Sequence, residues 1–159
     1  MQKRARSPRL SSYYTLARLI HSDTGRSRGI ENAPPEALLP NLRLLARGLD
    51  RVRRLLGHPL DISSGYRCPE LNAAVGGVPN SQHAQGLAVD FTCPGFGPPL
   101  AVARAIRDSE IAFDQCIYEF SEWIHLSFSA TPRRRVLTIF DSREGYLDGL
   151  VDEHRRTVS

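Results

Sequence analysis

Two histidines and one aspartate lie in segments that could build a metal centre. His83 and Asp90 belong to SQHAQGLAVD, and His125 belongs to WIHLSFS. Imidazole nitrogens and carboxylate oxygens bind Zn²⁺, and a catalytic zinc site uses three protein ligands so that a fourth position stays open for water. Strand alternation predicts that Asp90 and His125 project from polar strand faces and converge if their strands are neighbours. The same ligand set also accepts other divalent ions, so the residue types alone do not select zinc.

Other features of the sequence also favour a metal site built from His and Asp residues. Asp90 lies in an otherwise apolar strand, where a carboxylate needs a partner to offset its burial. The three cysteines form no CxxC pair, which argues against a thiolate zinc site and against a disulfide framework. We interpret them as reduced thiols. The histidines outside any motif are interpreted as structural or solvated, namely His21, His58 and His154.

The elements that must position these residues form an α+β pattern. Apolar spacing predicts a short helix within 13–22, a long helix from about residue 38 that stops at Gly57, and a third helix over 100–110. Alternating or apolar runs predict strands at 60–64, 87–92, 113–120, 123–129 and 135–140. We therefore predict a small antiparallel sheet that carries the metal site, packed with the N-terminal helices and one further helix.

The length of 159 residues predicts a single domain. We divide the chain into a flexible basic N-terminus at 1–10, the domain at 11–141, and a polar C-terminal tail at 142–159. No apolar run is long enough for a membrane span. The segment after the basic start is too polar for a signal peptide, which predicts synthesis in the cytoplasm.

The chain is basic, with 21 Lys and Arg residues against 17 Asp and Glu residues and a net charge of +4. This balance favours an anionic partner. Many of the arginines fall on the polar face of the long predicted helix, namely Arg43, Arg47, Arg51, Arg53 and Arg54. Because they are dispersed and no recognition motif accompanies them, a nucleic-acid-binding function is disfavoured. The run Arg133, Arg134, Arg135 is interpreted as a solvated turn, with contact to an anionic wall polymer as its functional alternative.

The segment SQHAQGLAVD resembles the S-x-H-x-x-G-x-A-x-D signature of zinc D-Ala-D-Ala carboxypeptidases and related peptidoglycan peptidases. SSGYRCPELNAAVGG upstream is similar to the substrate-side loop of that family, and FDQCIYEFSEWIHLSFS downstream resembles its ligand-bearing strand pair. The resemblance runs roughly from Ile30 to Ala130. It is closest to the small forms found in phages and prophages. It implies that His83, Asp90 and His125 bind zinc.

The resemblance also implies roles for residues that do not bind the metal. Arg67 would contact the substrate carbonyl or carboxylate, and Ser81 would support substrate or ligand geometry. Family members commonly carry a carboxylate three residues before the last zinc histidine, which favours Glu122 as general base. Strand alternation places Glu122 opposite His125 unless the strand begins after it, so Glu119 stays an alternative.

These inferences predict a zinc metallopeptidase that cleaves peptide bonds involving D-amino acids in peptidoglycan. Its partners would be stem or cross-bridge peptides of the wall, with no nucleic acid, and the chain would be a monomer. Action on the wall would follow release through a membrane lesion during phage lysis. The alternative is a non-catalytic zinc-containing module that binds cell walls or serves as a phage structural component. The choice between carboxypeptidase and endolysin-type endopeptidase stays open.

Overall fold

The computed structural model describes residues 6–159 and confirms the α+β class. A short 3-10 turn at Glu36–Leu38 leads into the longest helix. The helices are α1 (Leu16–Ile20), α2 (Asp23–Arg28), α3 (Leu39–Leu56), α4 (Pro69–Ala74) and α5 (Pro99–Arg107). The strands are β1 (Asp61–Ser64), β2 (Ala88–Thr92), β3 (Gln115–Glu119), β4 (Trp123–Ser127), β5 (Arg135–Ile139) and β6 (Leu147–Asp148). Within the described residues, no helix combines the length and the apolar character that a membrane crossing requires.

Helix α3 follows the predicted apolar stripe. Its stripe residues are buried, namely Leu42, Leu45, Leu49, Val52 and Leu56. The helix ends where Gly57 takes a left-handed conformation and its N–H bonds the Arg53 carbonyl at 2.9 Å. Pro40 lies in the first turn, where its missing N–H costs no helical hydrogen bond. On the other face, four arginines are exposed to solvent, as expected from the sequence: Arg43, Arg47, Arg51 and Arg54.

The six strands form one sheet in the order β1-β2-β4-β3-β5-β6. The predicted all-antiparallel arrangement is wrong at one pair, since β5 runs parallel to β3. After β4 the chain turns back beside the start of β3. The N–H of Arg134 bonds the Phe113 carbonyl at 3.0 Å, and the N–H of Arg135 bonds the Asp114 carbonyl at 2.8 Å. Because β5 thus begins at the same end of the sheet as β3, the two strands run in the same direction.

The two faces of the sheet have different roles. One face packs against the helices, with α5 on β3 and β4 and with α3 in the same apolar core. Gly48 of α3 lies so close to the Phe128 ring that a Cβ at this position would collide with it. The opposite face carries a small apolar cluster of Ile117, Leu137 and Ile139 beside the metal-ligand candidates. Helix packing therefore leaves this second face available for a site.

Residues near both ends of the described chain pack onto the domain. Residues 1–5 of the predicted basic segment lie outside the described residues, whereas Leu10 is buried in the core. Thr15 caps α1, because its side-chain oxygen accepts the N–H of Arg18. The C-terminal segment adds β6 to the sheet and buries Leu150. The predicted polar tail is thus packed onto the domain.

Candidate metal centre

The three predicted ligands converge on one face of the sheet. Strands β2 and β4 are antiparallel neighbours, and their register places Asp90 directly opposite His125. The loop before β2 brings His83 over the same point. Asp90 Oδ1 lies 3.1 Å from His83 Nε2 and 3.2 Å from His125 Nδ1. One ligand atom from each residue lies within 4.8 Å of the others, so the three could hold one metal ion.

The second nitrogen of each imidazole ring faces a carbonyl oxygen. His83 Nδ1 lies 2.8 Å from the backbone oxygen of Gly65, and His125 Nε2 lies 3.4 Å from Oε1 of Gln82. When both rings donate to these oxygens instead of to Asp90, His83 Nε2 and His125 Nδ1 keep lone pairs that a metal ion can accept. Three acceptor atoms directed at one point are satisfied by a cation, so the donor set fits a divalent metal ion.

Backbone packing at Gly65 makes the support of His83 possible. A Cβ at position 65 would collide with the carbonyl oxygen of Leu19 at the end of α1. The same oxygen accepts the N–H of Tyr66 at 2.8 Å. Without a side chain, the turn after β1 lies against α1 and directs the Gly65 oxygen at His83. The N-terminal helices therefore help to orient a metal-ligand candidate.

The electrostatics of Asp90 also fit a metal ligand. Burial by itself raises the pKa of Asp90, but the hydrogen bonds from His125 and His83 oppose it, and the net pKa is lowered. The carboxylate is therefore an anion at neutral pH. A buried anion requires a compensating positive charge, which a divalent ion would supply.

Arg67 and Ser81 both line a cavity beside the three metal-ligand candidates. Arg67 Nη2 lies 3.5 Å from Ser81 Oγ, and that oxygen also accepts the His83 N–H at 3.2 Å. Burial lowers the pKa of Arg67, against the opposing charges of Asp90 and Glu119. Its buried Nε has no hydrogen-bond partner among residues 6–159. A guanidinium that lines the cavity is suited to bind an oxygen of a ligand.

The structure brings Glu119, and not Glu122, to the cavity. Glu119 pairs with Trp123 across β3 and β4, so residues 119, 123 and 125 share the face of the metal-ligand candidates. The Trp123 Nε1–H donates to Glu119 Oε2 at 2.8 Å. Burial raises the pKa of Glu119, and the charge of Asp90 raises it further. Glu122, which the sequence favours as general base, is exposed in the turn that precedes β4.

A cavity of about 600 Å³ adjoins these groups. Aromatic side chains contribute to its lining, namely Phe120, Trp123 and Tyr146, as does the loop 75–82. Sequence reasoning missed the Gln82 and Gly65 contacts and the place of Tyr146. Gln82 stands beside His83 in the motif, but nothing in its residue type indicates a contact with His125. No sequence signal points from Tyr146 to the site.

A family model described as Peptidase M15 matches residues 12–127. The chain belongs to the M15 peptidase family. The resemblance to zinc D-Ala-D-Ala carboxypeptidases and related peptidases is thereby confirmed at the family level. The comparison with curated proteins finds no match.

Membership identifies this M15 chain as a metallopeptidase of a zinc-dependent family that acts on peptidoglycan. The matched part contains the three metal-ligand candidates and strands β1 to β4. Strands β5 and β6 lie beyond it, as does Tyr146.

Proposed function

We propose that this M15 peptidase binds zinc through His83, Asp90 and His125 and cleaves a peptide bond involving a D-amino acid in bacterial peptidoglycan. The observation that carries the proposal is the convergence of three acceptor atoms within 4.8 Å of one another. The cavity beside them also receives the carboxylate of Glu119 and the guanidinium of Arg67. This combination provides the groups that metal-assisted peptide hydrolysis requires.

Glu119 acts as the general base and then as the general acid. Zinc, when bound, would polarise the scissile carbonyl and lower the pKa of a water molecule. Glu119 accepts a proton from the attacking water and returns it to the nitrogen of the leaving amine. The hydrogen bond from Trp123 occupies Oε2 and fixes the orientation of the carboxyl group. The other oxygen of Glu119 is the one we assign to proton transfer.

Arg67 binds the substrate at the carbonyl oxygen that gains negative charge. Its side chain lines the cavity, where Nη2 lies 3.5 Å from Ser81 Oγ. A preorganised cationic donor stabilises such an oxygen more strongly in a partly dry cavity than in water. Ser81 supports this arrangement, because its hydroxyl contacts both the guanidinium of Arg67 and the N–H of His83.

The substrates are stem or cross-bridge peptides of the cell wall. The resemblance to small phage and prophage forms supports a role in phage lysis, where the enzyme reaches the wall through a lesion made by another protein. The chain acts as a monomer. Both carboxypeptidase and endopeptidase activity fall within the proposal, and the products distinguish them.

Digestion of purified peptidoglycan tests the function. We expect the zinc-loaded protein to release stem-peptide fragments that mass spectrometry identifies, a chelator to stop the release, and added zinc to restore it. Released terminal D-alanine would indicate a carboxypeptidase, and shortened cross-links an endopeptidase. If zinc-loaded protein sediments with the wall material but releases no fragment, the chain is a binding module and the proposed activity is wrong.

A further inference from the structure

The C-terminal segment 141–151 contributes side chains to the cavity of the metal centre. Ser142 and Tyr146 line this cavity together with Glu119 and Trp123. Both residues follow β5 and lie beyond residues 12–127. The cavity is therefore built from the matched part of the chain and from a segment outside it.

This segment holds Tyr146 on a well-fixed backbone. The turn before it is closed by the Asp141 carboxylate, which accepts the Arg143 N–H at 2.8 Å. Immediately after it, Leu147 pairs with Thr138 of β5. The Thr138 hydroxyl then donates to the Gly149 carbonyl at 2.8 Å and accepts the Val151 N–H at 3.1 Å. Hydrogen bonds on both sides thus fix the backbone from which the ring projects.

A second pair of contacts ties the same turn to the end of the chain. The Arg155 guanidinium bonds both carboxylate oxygens of Glu144, at 2.8 and 3.1 Å. It also lies over the Phe140 ring, 4.7 Å from the centroid. These contacts preorganise the turn, which lowers the entropy cost of binding a ligand there.

The side chain of Tyr146 is exposed, although its backbone is held in place. Its exposure is 59%, although the ring lines the cavity. Partial burial, followed by the negative charges of Glu119 and Asp90, raises the pKa of Tyr146. The phenol is protonated at neutral pH, and its hydroxyl is a hydrogen-bond donor on a side chain that lines the same cavity as Glu119. An open aromatic face with a polar end is suited to contact a peptide.

We propose that Tyr146 is a substrate-contacting residue, whose ring packs against the bound wall peptide and whose hydroxyl donates a hydrogen bond to a peptide carbonyl. The inference rests on the proposed function and assigns the C-terminal segment to the substrate cleft. Wall peptides carry many backbone carbonyls and small side chains, which suit a flat ring with one donor. Tyr146 thus positions the substrate beside Glu119 and Arg67.

Trp123 provides a direct reading of peptide binding. It is the single tryptophan of the chain, and it lines the cavity. We would introduce Glu119→Gln to prevent turnover while keeping an oxygen that accepts the Trp123 N–H. The zinc-loaded protein is then titrated with a soluble cross-linked peptide from peptidoglycan while tryptophan fluorescence is recorded.

Substitutions at Tyr146 should weaken this binding in two steps. We expect Tyr146→Ala to raise Kd about tenfold and Tyr146→Phe about threefold, because the first removes the ring and the second only the hydroxyl. Tyr13→Ala is the matched control, since Tyr13 is 48% exposed and lines a different cavity. It should leave Kd unchanged. In the active enzyme, Tyr146→Ala should raise KM more than it lowers kcat.

Each other outcome contradicts a defined part of the inference. Wild-type affinity in Tyr146→Ala would show that the residue does not contact the substrate. Wild-type affinity in Tyr146→Phe would show that the hydroxyl does not contribute to binding. An equal loss in Tyr13→Ala would show that the effect does not arise at the cleft. If the protein with an intact Tyr146 binds no wall peptide, both this inference and the proposed function are wrong.

Discussion

At the scale of single residues, Glu119 and Glu122 provide a matched pair. Glu119 lies in the cavity, whereas Glu122 lies exposed in the turn between β3 and β4. We expect Glu119→Gln to lower kcat/KM by about 10²- to 10⁴-fold, because the amide cannot accept the proton of the attacking water. Glu122→Gln should change kcat/KM by less than about twofold, as a surface substitution away from the reacting groups.

Metal content is the control for this comparison. Both variants should bind zinc as the wild type does, because neither glutamate belongs to the converging set of three residues. Steady-state release of stem peptides at saturating zinc measures the rates. Full activity in Glu119→Gln, or a large loss in Glu122→Gln alone, would return the role of general base to Glu122.

The sequence could predict part of this site. Strand alternation on neighbouring strands suffices to bring Asp90 and His125 together, whereas His83 lies in the loop before β2 and is indicated only by the motif. The choice between the glutamates depends on the turn, where Phe120 and Ser121 take positive φ angles of 53° and 59°. That backbone conformation affects which of the two glutamates lies on the site face. The residue types Phe and Ser do not indicate such a conformation.

At the scale of elements, Asp114 connects three segments around the start of β3. Its carboxylate accepts two bonds from the Arg133 guanidinium, at 2.9 and 2.8 Å. It also accepts a bond from Gln82 Nε2 at 2.8 Å. The β4–β5 connection and the loop that carries His83 are thereby held to β3. Arg133, interpreted from the sequence as part of a solvated turn, has a structural contact.

These bonds predict that the stabilisation by Asp114 depends on pH. The hydrogen bond with Arg133, supported by Gln82, lowers the pKa of Asp114 despite its burial. A folded-state pKa below the unfolded value of about 3.9 means that the stabilisation is present above that pH and is lost as the pH falls through the folded value. We expect Asp114→Asn to lower the free energy of unfolding by about 1 to 3 kcal/mol near neutral pH and by less in acid.

Urea unfolding at a series of pH values measures this difference. Asp148→Asn is the control, since Asp148 is exposed in β6, and it should change the free energy of unfolding by less than about 0.5 kcal/mol. A difference between wild type and Asp114→Asn that stays constant or grows on acidification would contradict the role of the ionised carboxylate.

The elements themselves were predictable to different degrees. The apolar stripe and the terminal glycine were enough for α3. Helix α2 was missed because its sequence DTGRSR has no apolar stripe, and capping by Ser22 defines its start. Strand β6 has only two residues, which are too few to show an alternating pattern. The parallel pairing of β5 likewise depends on where the preceding loop is held.

At the scale of the whole molecule, the helices cover one face of the sheet and the candidate site occupies the other. Much of the arginine excess lies on the exposed side of α3. Arg133 and Arg134 instead bond to Asp114 and to the backbone carbonyls of Arg107 and Ser109. The net charge of +4 is compatible with an anionic wall. The candidate metal site, however, lies on the sheet face that the helices do not cover.

The convergence of His83, Asp90 and His125 on one metal ion is the claim on which the other proposals depend. Equilibrium dialysis followed by elemental analysis measures the zinc bound by each chain. We predict about one zinc ion per chain for the wild type and for His154→Ala, whose histidine is exposed outside the site. His83→Ala and His125→Ala should each lose this zinc. Retention of one tightly bound zinc by either ligand variant, or its absence from the wild type, would contradict the metal centre.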